Sequence, residues 1–514
     1  MRPRRPPPQP LPQAPLRRAM EAFVAETLPR LRAQAVPPGR YPEVTLLLYA
    51  FPQGAEAADW APFEFAIRQS WAVLGAMKTV VVVPAQAAVP ECLAGLAGVE
   101  IQREATLLPG QLETMNRDCL QRLHRRFTTR HVLIVQADGW PMRDELGRFL
   151  RYDYVGAPNV TPGWRAVVAD ALALTVLNGG FSLRSRRLCR AASLLAPLAG
   201  RFPEDHLLSR LRPLFRFPSA AEARGFSEDC LDGLLPPALT ASPMGFHRAS
   251  TFTALYAQPA PLTVVSAVRD WPCYRRCIER NPFLRAARRV AFDNTRENRP
   301  LPERYNAFLD AMPPDTGWIL FAHEDFELRE DPLPLLARRN PLFPCGIIGS
   351  RIVAGLLVLP FGTLTDSERD GSRFHVNTPP LPYAALLGNH VENTDCCALF
   401  VHAEAIRAWG LRFDPKCPWD LYVEDLCFQF LCRSGHTISI LPLRAHHFSR
   451  GNPGSVRLKA VERYLNQKYQ AYCFAGGTCA LTIGRRPSLR LRLCHTALFT
   501  LWRAWRKLRY GSEA

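Results

Sequence analysis

The sequence predicts an α/β protein with two domains in tandem, each built on a mostly parallel sheet. The chain has 514 residues, which is more than a single hydrophobic core usually accommodates. Short apolar strands alternate with helical stretches, and this alternation is typical of a parallel sheet with crossover helices. The alternation begins twice, the second time after a linker at Gln258–Pro261. We therefore expect domains at residues 41–255 and 256–478, flanked by segments 1–40 and 479–514.

The first domain shows its alternation from residue 44 onward. Each predicted strand is a short, continuously apolar run, and each predicted helix is a longer stretch with apolar residues on one face. The strands are predicted at Val44–Tyr49, Thr79–Val83 and His131–Val135, and the helices at Phe63–Met77 and Gln111–Phe127.

The second domain repeats this order from residue 262. Strands are predicted at Leu262–Val268, Val290–Phe292 and Trp318–Phe321, and helices at Cys273–Glu279, Pro302–Ala311 and Leu421–Cys432. The apolar run Ile352–Phe361 has about half the length needed to cross a bilayer. It contains a proline, and we expect it to be a core strand.

The two ends of the chain differ from the domains in composition. Residues 1–40 are rich in proline and arginine, which predicts disorder apart from a helix around Leu16 to Ala33. The stretch Arg485–Tyr510 predicts an amphipathic basic helix. Its apolar face consists of Leu491, Cys494, Leu498, Leu501, Trp505 and Leu508. This helix either packs on the second domain or lies on an anionic membrane surface, and the sequence supports both interpretations.

The net charge of +18 implies attraction to polyanions. The sequence contains no zinc finger, aromatic RNA-binding strand or heptad-linked basic region, which argues against nucleic acid as a partner. The N-terminus lacks the apolar stretch of a secretory signal, and the 15 cysteines include no C-x-x-C pair. We therefore expect a cytoplasmic protein with reduced thiols.

The second domain places polar residues at the end of an apolar strand. His323 and Asp325 are two residues apart, so their side chains share one face where the strand Trp318–Phe321 ends. Open α/β sheets bind ligands at this edge, and a carboxylate there can hold Mg²⁺ or Mn²⁺. The alternative is that Asp325 is an ordinary turn residue.

A pair of acids and a pair of histidines follow later in the same domain. Glu424 and Asp425 lie in the first turn of a predicted helix, where they could simply complement the helix dipole. His446 and His447 end a β-rich run and precede a glycine-containing loop. An acid, a later acid pair and a late histidine could together hold a metal-bound nucleotide and supply a base that deprotonates a hydroxyl group.

The first domain contains the same order. Gln136 and Asp138 end the strand His131–Val135, and the acid pair Glu204-Asp205 and the late His247 follow. Between them lies Asn178-Gly179-Gly180, whose two glycines would allow close approach of the backbone to a ligand.

Several stretches of the second domain resemble GT-A glycosyltransferases of the family-two-like branch, which includes a streptomycin-biosynthesis type domain. The resemblance covers about residues 260 to 450, and its motifs are Arg304–Asn306, Phe321–Phe326, Phe413–Asp414, Leu421–Leu426, Gly435 and His446–Gly451. His323 departs from the Asp-x-Asp motif of better-known relatives, which leaves fewer carboxylates for a metal ion.

This resemblance implies a role for each matching residue. Asp325 and either His447 or His446 would bind the metal ion, and Asp425 would be the general base with Glu424 beside it. The residues implied in nucleotide-sugar binding are Ser266, Arg269, Asp293, Asn306 and His323.

The first domain resembles an uncharacterised glycosyltransferase-like family with the motifs Q-x-D, D-Y-x-G-A-P and N-G-G-F-S-L-R. The motifs correspond here to Gln136–Asp138, Asp153–Pro158 and Asn178–Arg184. The resemblance implies metal binding by Asp138 and His247 and catalysis by Glu204 and Asp205. It also implies nucleotide-sugar binding by Gln136, Asn178, Gly179 and Gly180. Alternatively, this domain is a non-catalytic copy that positions the acceptor.

Together, the resemblances predict a nucleotide-sugar-dependent glycosyltransferase, inverting and assisted by Mn²⁺ or Mg²⁺. Its acceptor would be a saccharide or a lipid-linked saccharide in the synthesis of a surface polysaccharide or glycoconjugate. We expect the enzyme in the cytoplasm or peripherally on the inner face of the membrane. The competing hypothesis is a scaffold or binding protein that keeps the fold without catalysis.

Overall fold

The computed structural model divides the chain into two compact units, Leu16–Ala257 and Gln258–Ala514, the latter including Met1–Pro15. We refer to them as the N-terminal and C-terminal units. Both are mixed α/β structures, which confirms the predicted fold class. The structure describes residues 6–9, 11–51, 57–108, 112–159, 175–198, 203–229, 243–256, 261–355, 357–362, 364–367, 375–377, 390–449, 455–477, 481–485 and 487–510.

The N-terminal unit contains a six-stranded sheet with the order β3-β2-β1-β4-β6-β5. Strands β1 to β4 pair in parallel, whereas β6 runs antiparallel to β4 and to β5. The strands are β1 (Val44–Tyr49), β2 (Thr79–Pro84), β3 (Val99–Glu104), β4 (His131–Val135), β5 (Tyr154–Asn159) and β6 (Val176–Ser185). A separate parallel pair is formed by β7 (Ser227–Asp229) and β8 (Gly245–His247).

Helices cover this sheet on its two faces. The alternate residues of β1 belong to different core clusters, Leu46 and Leu48 to one and Leu47 to the other. The α-helices are Gln13–Ala33, Ala57–Leu74, Glu91–Ala94, Leu112–Gln121, Leu123–Arg126, Arg186–Ala192, Glu204–Ser209, Ala220–Phe226 and Ala249–Tyr256. Because β1, β2 and β4 are buried throughout, their sequences are continuously apolar, which made them predictable.

The helix predicted within the proline- and arginine-rich segment 1–40 is present. The helix Gln13–Ala33 includes the predicted Leu16 to Ala33 stretch. Its residues Met20, Val24, Leu28 and Leu31 recur at helical spacing and are buried in the core of the N-terminal unit. The backbone of Gln9 also donates a hydrogen bond to Ser434 O in the C-terminal unit, at 2.7 Å.

The C-terminal unit contains a seven-stranded sheet with the order β10-β9-β11-β20-β13-β21-β18. Strand β9 pairs in parallel with β10 and β11, and β20 runs antiparallel to β11 and β13. The strands are β9 (Leu262–Val268), β10 (Arg288–Asp293), β11 (Trp318–Ala322), β13 (Cys345–Gly346), β18 (His390–Val391), β20 (Ala398–His402) and β21 (Ile438–Ile440).

Short strands form three further sheets in this unit. Strand β22 pairs antiparallel with β12 and parallel with β16, which also pairs with β17. These strands are β12 (Phe326–Leu328), β16 (Leu364–Asp366), β17 (His375–Asn377) and β22 (Ala445–His447). The other small sheets are formed by β14 (Ile348–Val353), β15 (Leu357–Gly362) and β19 (Asn393–Thr394), and by β23 (Cys473–Ala475) and β24 (Thr482–Gly484).

The predicted single strand Ile352–Phe361 is instead a hairpin of β14 and β15. The chain reverses at Ala354 and Gly355, whose φ angles of +53° and +70° lie in the left-handed region. This region is compatible with a turn and not with an extended strand. Each arm contributes a buried apolar residue to one cluster, Ile352 from β14 and Val358 from β15.

The remaining helices of the C-terminal unit connect and flank these strands. They are Trp271–Tyr274, which continues as a π-helix over Arg275–Glu279, and Leu301–Asp310, Leu333–Leu336, Ala403–Trp409, Tyr422–Ser434, Val456–Lys468 and Leu489–Tyr510. The predicted amphipathic tail is therefore helical from Leu489. Leu491 packs with Ile352, Val358, Cys473 and Ala475, whereas Cys494 and Leu501 are exposed. Within the described residues, the structure contains no helix long and apolar enough to span a membrane.

Candidate functional site

Three possible metal ligands converge at the end of β11. His323 and Asp325 follow this strand directly, and the pairing of Phe326 with His447 brings β22 alongside. The Nε2 atom of His447 lies 3.4 Å from Asp325 Oδ1. One ligand atom from each of the three residues lies within 4.8 Å of the others, which is close enough for all three to contact one ion. We call His323, Asp325 and His447 the C-terminal cluster.

A protein group orients each imidazole of this cluster. The Nε2 atom of His323 lies 2.7 Å from the hydroxyl of Tyr422. The Nδ1 atom of His447 lies 3.3 Å from Asp366 Oδ1. Metal-binding histidines usually have such a partner on the second ring nitrogen, because it holds the ring and its tautomer in place. Sequence reasoning missed Asp366, which lies in a strand of three residues without a hydrophobic pattern.

The protonation of these two histidines differs in the absence of an ion. Burial lowers the pKa of His323, so this ring is neutral and can donate a lone pair. Burial would also lower the pKa of His447, but Asp325 and Asp366 outweigh it and raise this pKa to about 10. The Nε2 atom of His447 is buried and makes no standard hydrogen bond among the described residues. A cation between His447 and Asp325 would replace this proton, so the residues fit a metal ion.

His446 does not join the cluster. Adjacent residues of a strand point to opposite faces, so His446 points away from Asp325. Its Nε2 atom lies 2.7 Å from Ser367 Oγ, and its ring stacks on Phe448 with the centroids 4.1 Å apart. Of the two histidines considered from the sequence, His447 is the one that the structure brings to Asp325.

The two adjacent acids Glu424 and Asp425 have different surroundings. Asp425 is fully buried and accepts hydrogen bonds from Lys468 Nζ at 2.6 Å, Tyr469 Oη at 2.8 Å and Gln429 Nε2 at 2.7 Å. Both of its oxygens are therefore engaged by the protein, one of them by a cation. A substrate hydroxyl at Asp425 would therefore have to compete with these three hydrogen-bond donors.

Glu424 lies on the side of the helix that is linked to the C-terminal cluster. Its Oε2 atom accepts a hydrogen bond from Cys396 Sγ at 2.8 Å, and the carbonyl of Cys396 accepts one from Tyr422 Oη at 3.1 Å. Tyr422 in turn contacts His323. Burial, together with the nearby carboxylate of Asp395, raises the pKa of Glu424 to about 8.

The structure places the other predicted binding residues of this unit in varied surroundings. Arg269 is exposed just beyond β9, and its backbone NH donates to Glu324. Ser266 is buried within β9, and its hydroxyl has no hydrogen bond among the described residues. Asp293 is exposed and accepts a hydrogen bond from Thr295 N at 2.9 Å.

Asn306 is engaged with the protein itself. Its side chain donates to Phe413 O at 2.8 Å and accepts from Phe413 N at 3.1 Å. The pair joins the helix Leu301–Asp310 to the segment before the helix of Glu424. The described contacts of Asn306 are therefore with the backbone of Phe413 and do not bring it to the cluster.

In the N-terminal unit, Gln136, Asp138 and His247 also come together. The Nε2 atom of His247 lies 3.1 Å from Gln136 Oε1 and 3.8 Å from Asp138 Oδ1. Its Nδ1 atom lies 3.4 Å from Asp229 Oδ2, a residue that sequence reasoning missed. We call Gln136, Asp138 and His247 the N-terminal cluster.

The acid pair of this unit does not join its cluster. Gly179 and Gly180 are adjacent on β6, so their side-chain directions are opposite. A methyl group on Gly179 would meet Glu204 Oε1 at 2.4 Å, whereas one on Gly180 would meet His247 Nε2 at 2.3 Å. Glu204 and His247 therefore lie on opposite faces of β6.

The glycines and acids of this segment have structural partners. The two glycines make room for protein side chains, and Asn178 Oδ1 accepts a hydrogen bond from Gly180 N at 2.7 Å. Glu204 forms a buried ion pair with Arg184 at 2.7 Å. Asp205 accepts a hydrogen bond from His206 N at 2.8 Å in the first turn of its helix.

Comparison with known proteins gives two matches and one negative result. A family described as a protein of unknown function (DUF5672) matches residues 108–247, which include the N-terminal cluster. Among solved structures, the chain is similar to GalNAc-T7 with UDP, GalNAc and Mn²⁺, at 9% sequence identity and a TM-score of 0.27. This match covers 44% of the chain and 52% of that protein, and the similarity is too low to support a functional inference. A search of curated protein sequences gives no match.

Proposed function

We propose that the C-terminal unit is a nucleotide-sugar-dependent glycosyltransferase that uses a divalent cation held by His323, Asp325 and His447. One observation carries this proposal: three possible ligands meet at the end of a strand that pairs in parallel with its neighbour β9. This edge of an open α/β sheet is where phosphate-bearing ligands bind. The cation would stabilise the charge that develops on the leaving nucleoside diphosphate.

Glu424 is the general base in this proposal, and Asp425 is a structural residue. An acceptor hydroxyl needs a base whose pKa is close to the working pH, and the value of about 8 for Glu424 meets this condition. The carboxylate would take the hydroxyl proton while the acceptor oxygen attacks the sugar and the bond to the diphosphate breaks. Such a single displacement inverts the configuration at the sugar carbon.

The ligand types indicate which cation suits the site. Two imidazoles and one carboxylate favour a transition metal such as Mn²⁺, because Mg²⁺ prefers oxygen ligands and retains its waters. We therefore propose Mn²⁺ ahead of Mg²⁺. The acceptor in this proposal is a saccharide or a lipid-linked saccharide of a surface polysaccharide or glycoconjugate.

A donor panel tests this function on the full chain. Release of nucleoside diphosphate is measured for a set of nucleotide sugars and acceptors, with Mn²⁺, with Mg²⁺ and with a chelator. We expect release with at least one donor, stimulated most by Mn²⁺ and lost in His447→Ala.

His446→Ala is the matched control, because it removes the neighbouring imidazole that points to the opposite face. We expect it to retain cation-dependent release if it remains folded. If no donor gives release of nucleoside diphosphate and no nucleotide binds, the result would favour a scaffold or binding protein.

A further inference from the structure

We propose that Cys396 is a positioning residue, which holds Glu424 with its thiol and orients His323 through its backbone carbonyl and Tyr422. This role deepens the proposed function and rests on the assignment of Glu424 as the base. The motifs that resemble glycosyltransferases give Cys396 no role, because it lies between Phe321–Phe326 and Phe413–Asp414.

The sheet register brings Cys396 to the end of β11. Cys396 lies in the turn between β19 and β20, and Ala398 at the start of β20 pairs with Ala322 at the end of β11. The backbone NH of His323 also donates to Cys397 O at 3.0 Å. The turn therefore lies beside the residues that follow β11, where the C-terminal cluster begins.

The thiol of Cys396 engages one oxygen of Glu424. Its Sγ atom donates to Glu424 Oε2 at 2.8 Å. Burial, together with the carboxylates of Glu424 and Asp395, raises the pKa of this thiol well above its usual value, so the thiol keeps its proton. A thiol has a single proton to donate, which leaves Oε1 for a substrate hydroxyl. Gly477 leaves space beside this oxygen, because a Cβ atom there would lie 3.2 Å from Oε1.

The backbone carbonyl of Cys396 determines which nitrogen of His323 carries the proton. Tyr422 Oη donates its proton to Cys396 O at 3.1 Å. The same hydroxyl lies 2.7 Å from His323 Nε2, and it can only accept there because its proton is already engaged. Nε2 therefore bears the proton of the neutral ring, and Nδ1 keeps the lone pair that a cation needs.

One turn of the chain thus supports both halves of the proposed site. Tyr422 and Glu424 lie in the first turn of the same helix, and both contact Cys396. The proposed base and the metal ligand His323 are therefore held relative to each other. Such support matters for catalysis, because a small displacement of a reacting group can cost about 10²-fold in rate.

The thiol also affects the ionisation of Glu424. Burial and Asp395 raise the pKa of Glu424, whereas the hydrogen bond from Cys396 lowers it, because this bond favours the charged carboxylate. Loss of the thiol should therefore raise this pKa further. The titratable groups around Glu424 are Asp395, Cys396, Cys417, Asp420, Tyr422 and Cys427.

The pH profile of kcat in the full chain tests the role of the thiol. We expect Cys396→Ala to lower kcat by about 10- to 100-fold and to shift the profile to higher pH. Cys396→Ser keeps a hydrogen-bond donor and should restore most of kcat and the position of the profile. Cys345→Ala, which removes a buried thiol beside Ser439, should keep the wild-type profile. An unshifted profile in Cys396→Ala, or a loss that Cys396→Ser does not restore, would overturn the inference.

Mn²⁺ binding tests the role of the carbonyl without any donor. Tyr422→Phe removes the hydroxyl between Cys396 O and His323 Nε2, and it should weaken Mn²⁺ binding by about 10- to 100-fold, measured by electron paramagnetic resonance of free Mn²⁺. Tyr469→Phe, which removes a buried hydroxyl bonded to Asp425, should bind Mn²⁺ like the wild type. Equal affinity in Tyr422→Phe and the wild type would refute the part of the inference that concerns His323.

A double-mutant cycle separates this inference from the proposed function. Urea unfolding of Cys396→Ala, Glu424→Gln and the double variant measures the coupling between the two side chains. We expect a coupling that is larger above the pKa of Glu424, about 8, than below it, because a charged acceptor strengthens the hydrogen bond. Absence of coupling would refute the positioning role alone. Absence of transfer with every donor, in a chain that shows the coupling, would instead refute the proposed function.

Discussion

At the scale of single residues, two neighbouring carboxylates differ in the charged groups that surround them. Glu424 and Asp425 are both buried in the first turn of one helix, and about 100° of rotation separates their directions. Asp425 is neutralised by Lys468, whereas Glu424 lies beside another carboxylate, Asp395. Because like charges and burial disfavour ionisation, the pKa of Glu424 is raised to about 8, which suits proton transfer near neutral pH.

Substitution of the two acids should separate catalysis from stability. Glu424→Gln is expected to lower kcat by about 10²-fold or more and to leave the fold intact, because a general base contributes roughly this factor. Asp425→Asn should lower the free energy of unfolding by about 3 kcal/mol, because it leaves Lys468 with a weaker partner in a largely buried network. Steady-state kinetics and urea unfolding measure the two effects. A larger loss of kcat in a fully folded Asp425→Asn than in Glu424→Gln would assign the base to Asp425.

The raised pKa of Glu424 predicts a specific pH dependence. The base must be ionised, so kcat should rise with pH up to about 8 and level off above it. The folded state binds this proton more tightly than the unfolded state, so ionisation costs stability as pH rises from about 4.5 toward 8. Glu424→Gln, which imitates the protonated form, should therefore gain stability relative to the wild type over this range. A stability difference that does not change with pH would contradict the raised pKa.

At the scale of elements, successive side chains of β22 point to opposite faces, and this determines which histidine belongs to the C-terminal cluster. The sequence shows two adjacent histidines and does not reveal which face of β22 meets Asp325. The pairing of Phe326 with His447 settles this, because a shift of one residue would exchange the two rings. The same alternation on β6 separates Glu204 from His247, so an order of residues shared by both units does not produce the same site.

The C-terminal helix offers a second test at this scale. Leu491 is buried among Ile352, Val358, Cys473 and Ala475, whereas Leu493 is 62% exposed. We expect Leu491→Ala to lower the free energy of unfolding by about 2 kcal/mol and Leu493→Ala to change it little. Urea unfolding of the two variants measures the difference. Equal effects would show that the start of this helix does not pack as described, which would favour the membrane-surface interpretation.

At the scale of the whole molecule, the two units are variations on one plan. Each has a run of parallel strands, β1 to β4 in one unit and β9 to β11 in the other. In each, an antiparallel strand lies next to the strand that carries the cluster, β6 beside β4 and β20 beside β11. Each cluster takes its histidine from a short strand outside the main sheet. The units differ in the surroundings of their acid pairs: Glu204 lies on the opposite face of β6 from His247, whereas Glu424 is linked to His323 through Cys396 and Tyr422.

Much of the fold could be predicted because buried parallel strands leave a clear pattern. His131–Val135 and Leu262–Val268 have the predicted bounds, and Trp318–Ala322 extends the prediction by one residue. The short strands β7 and β16 were not predicted, because three residues carry too little periodicity to identify a strand. The hairpin at Ala354-Gly355 was missed because its two arms are both apolar.

The sequence by itself determined the α/β class, the repeated alternation and the strand-end residues Gln136, Asp138, His323 and Asp325. These features depend on neighbouring residues along one strand, so local periodicity is sufficient to reveal them. Only the tertiary structure decided that His447 and not His446 meets Asp325, that Asp425 is held by Lys468, and that Asp229 and Asp366 orient the histidines. These relations join segments from 18 to 122 residues apart, and strand register and burial, which no local pattern encodes, determine which side chains meet.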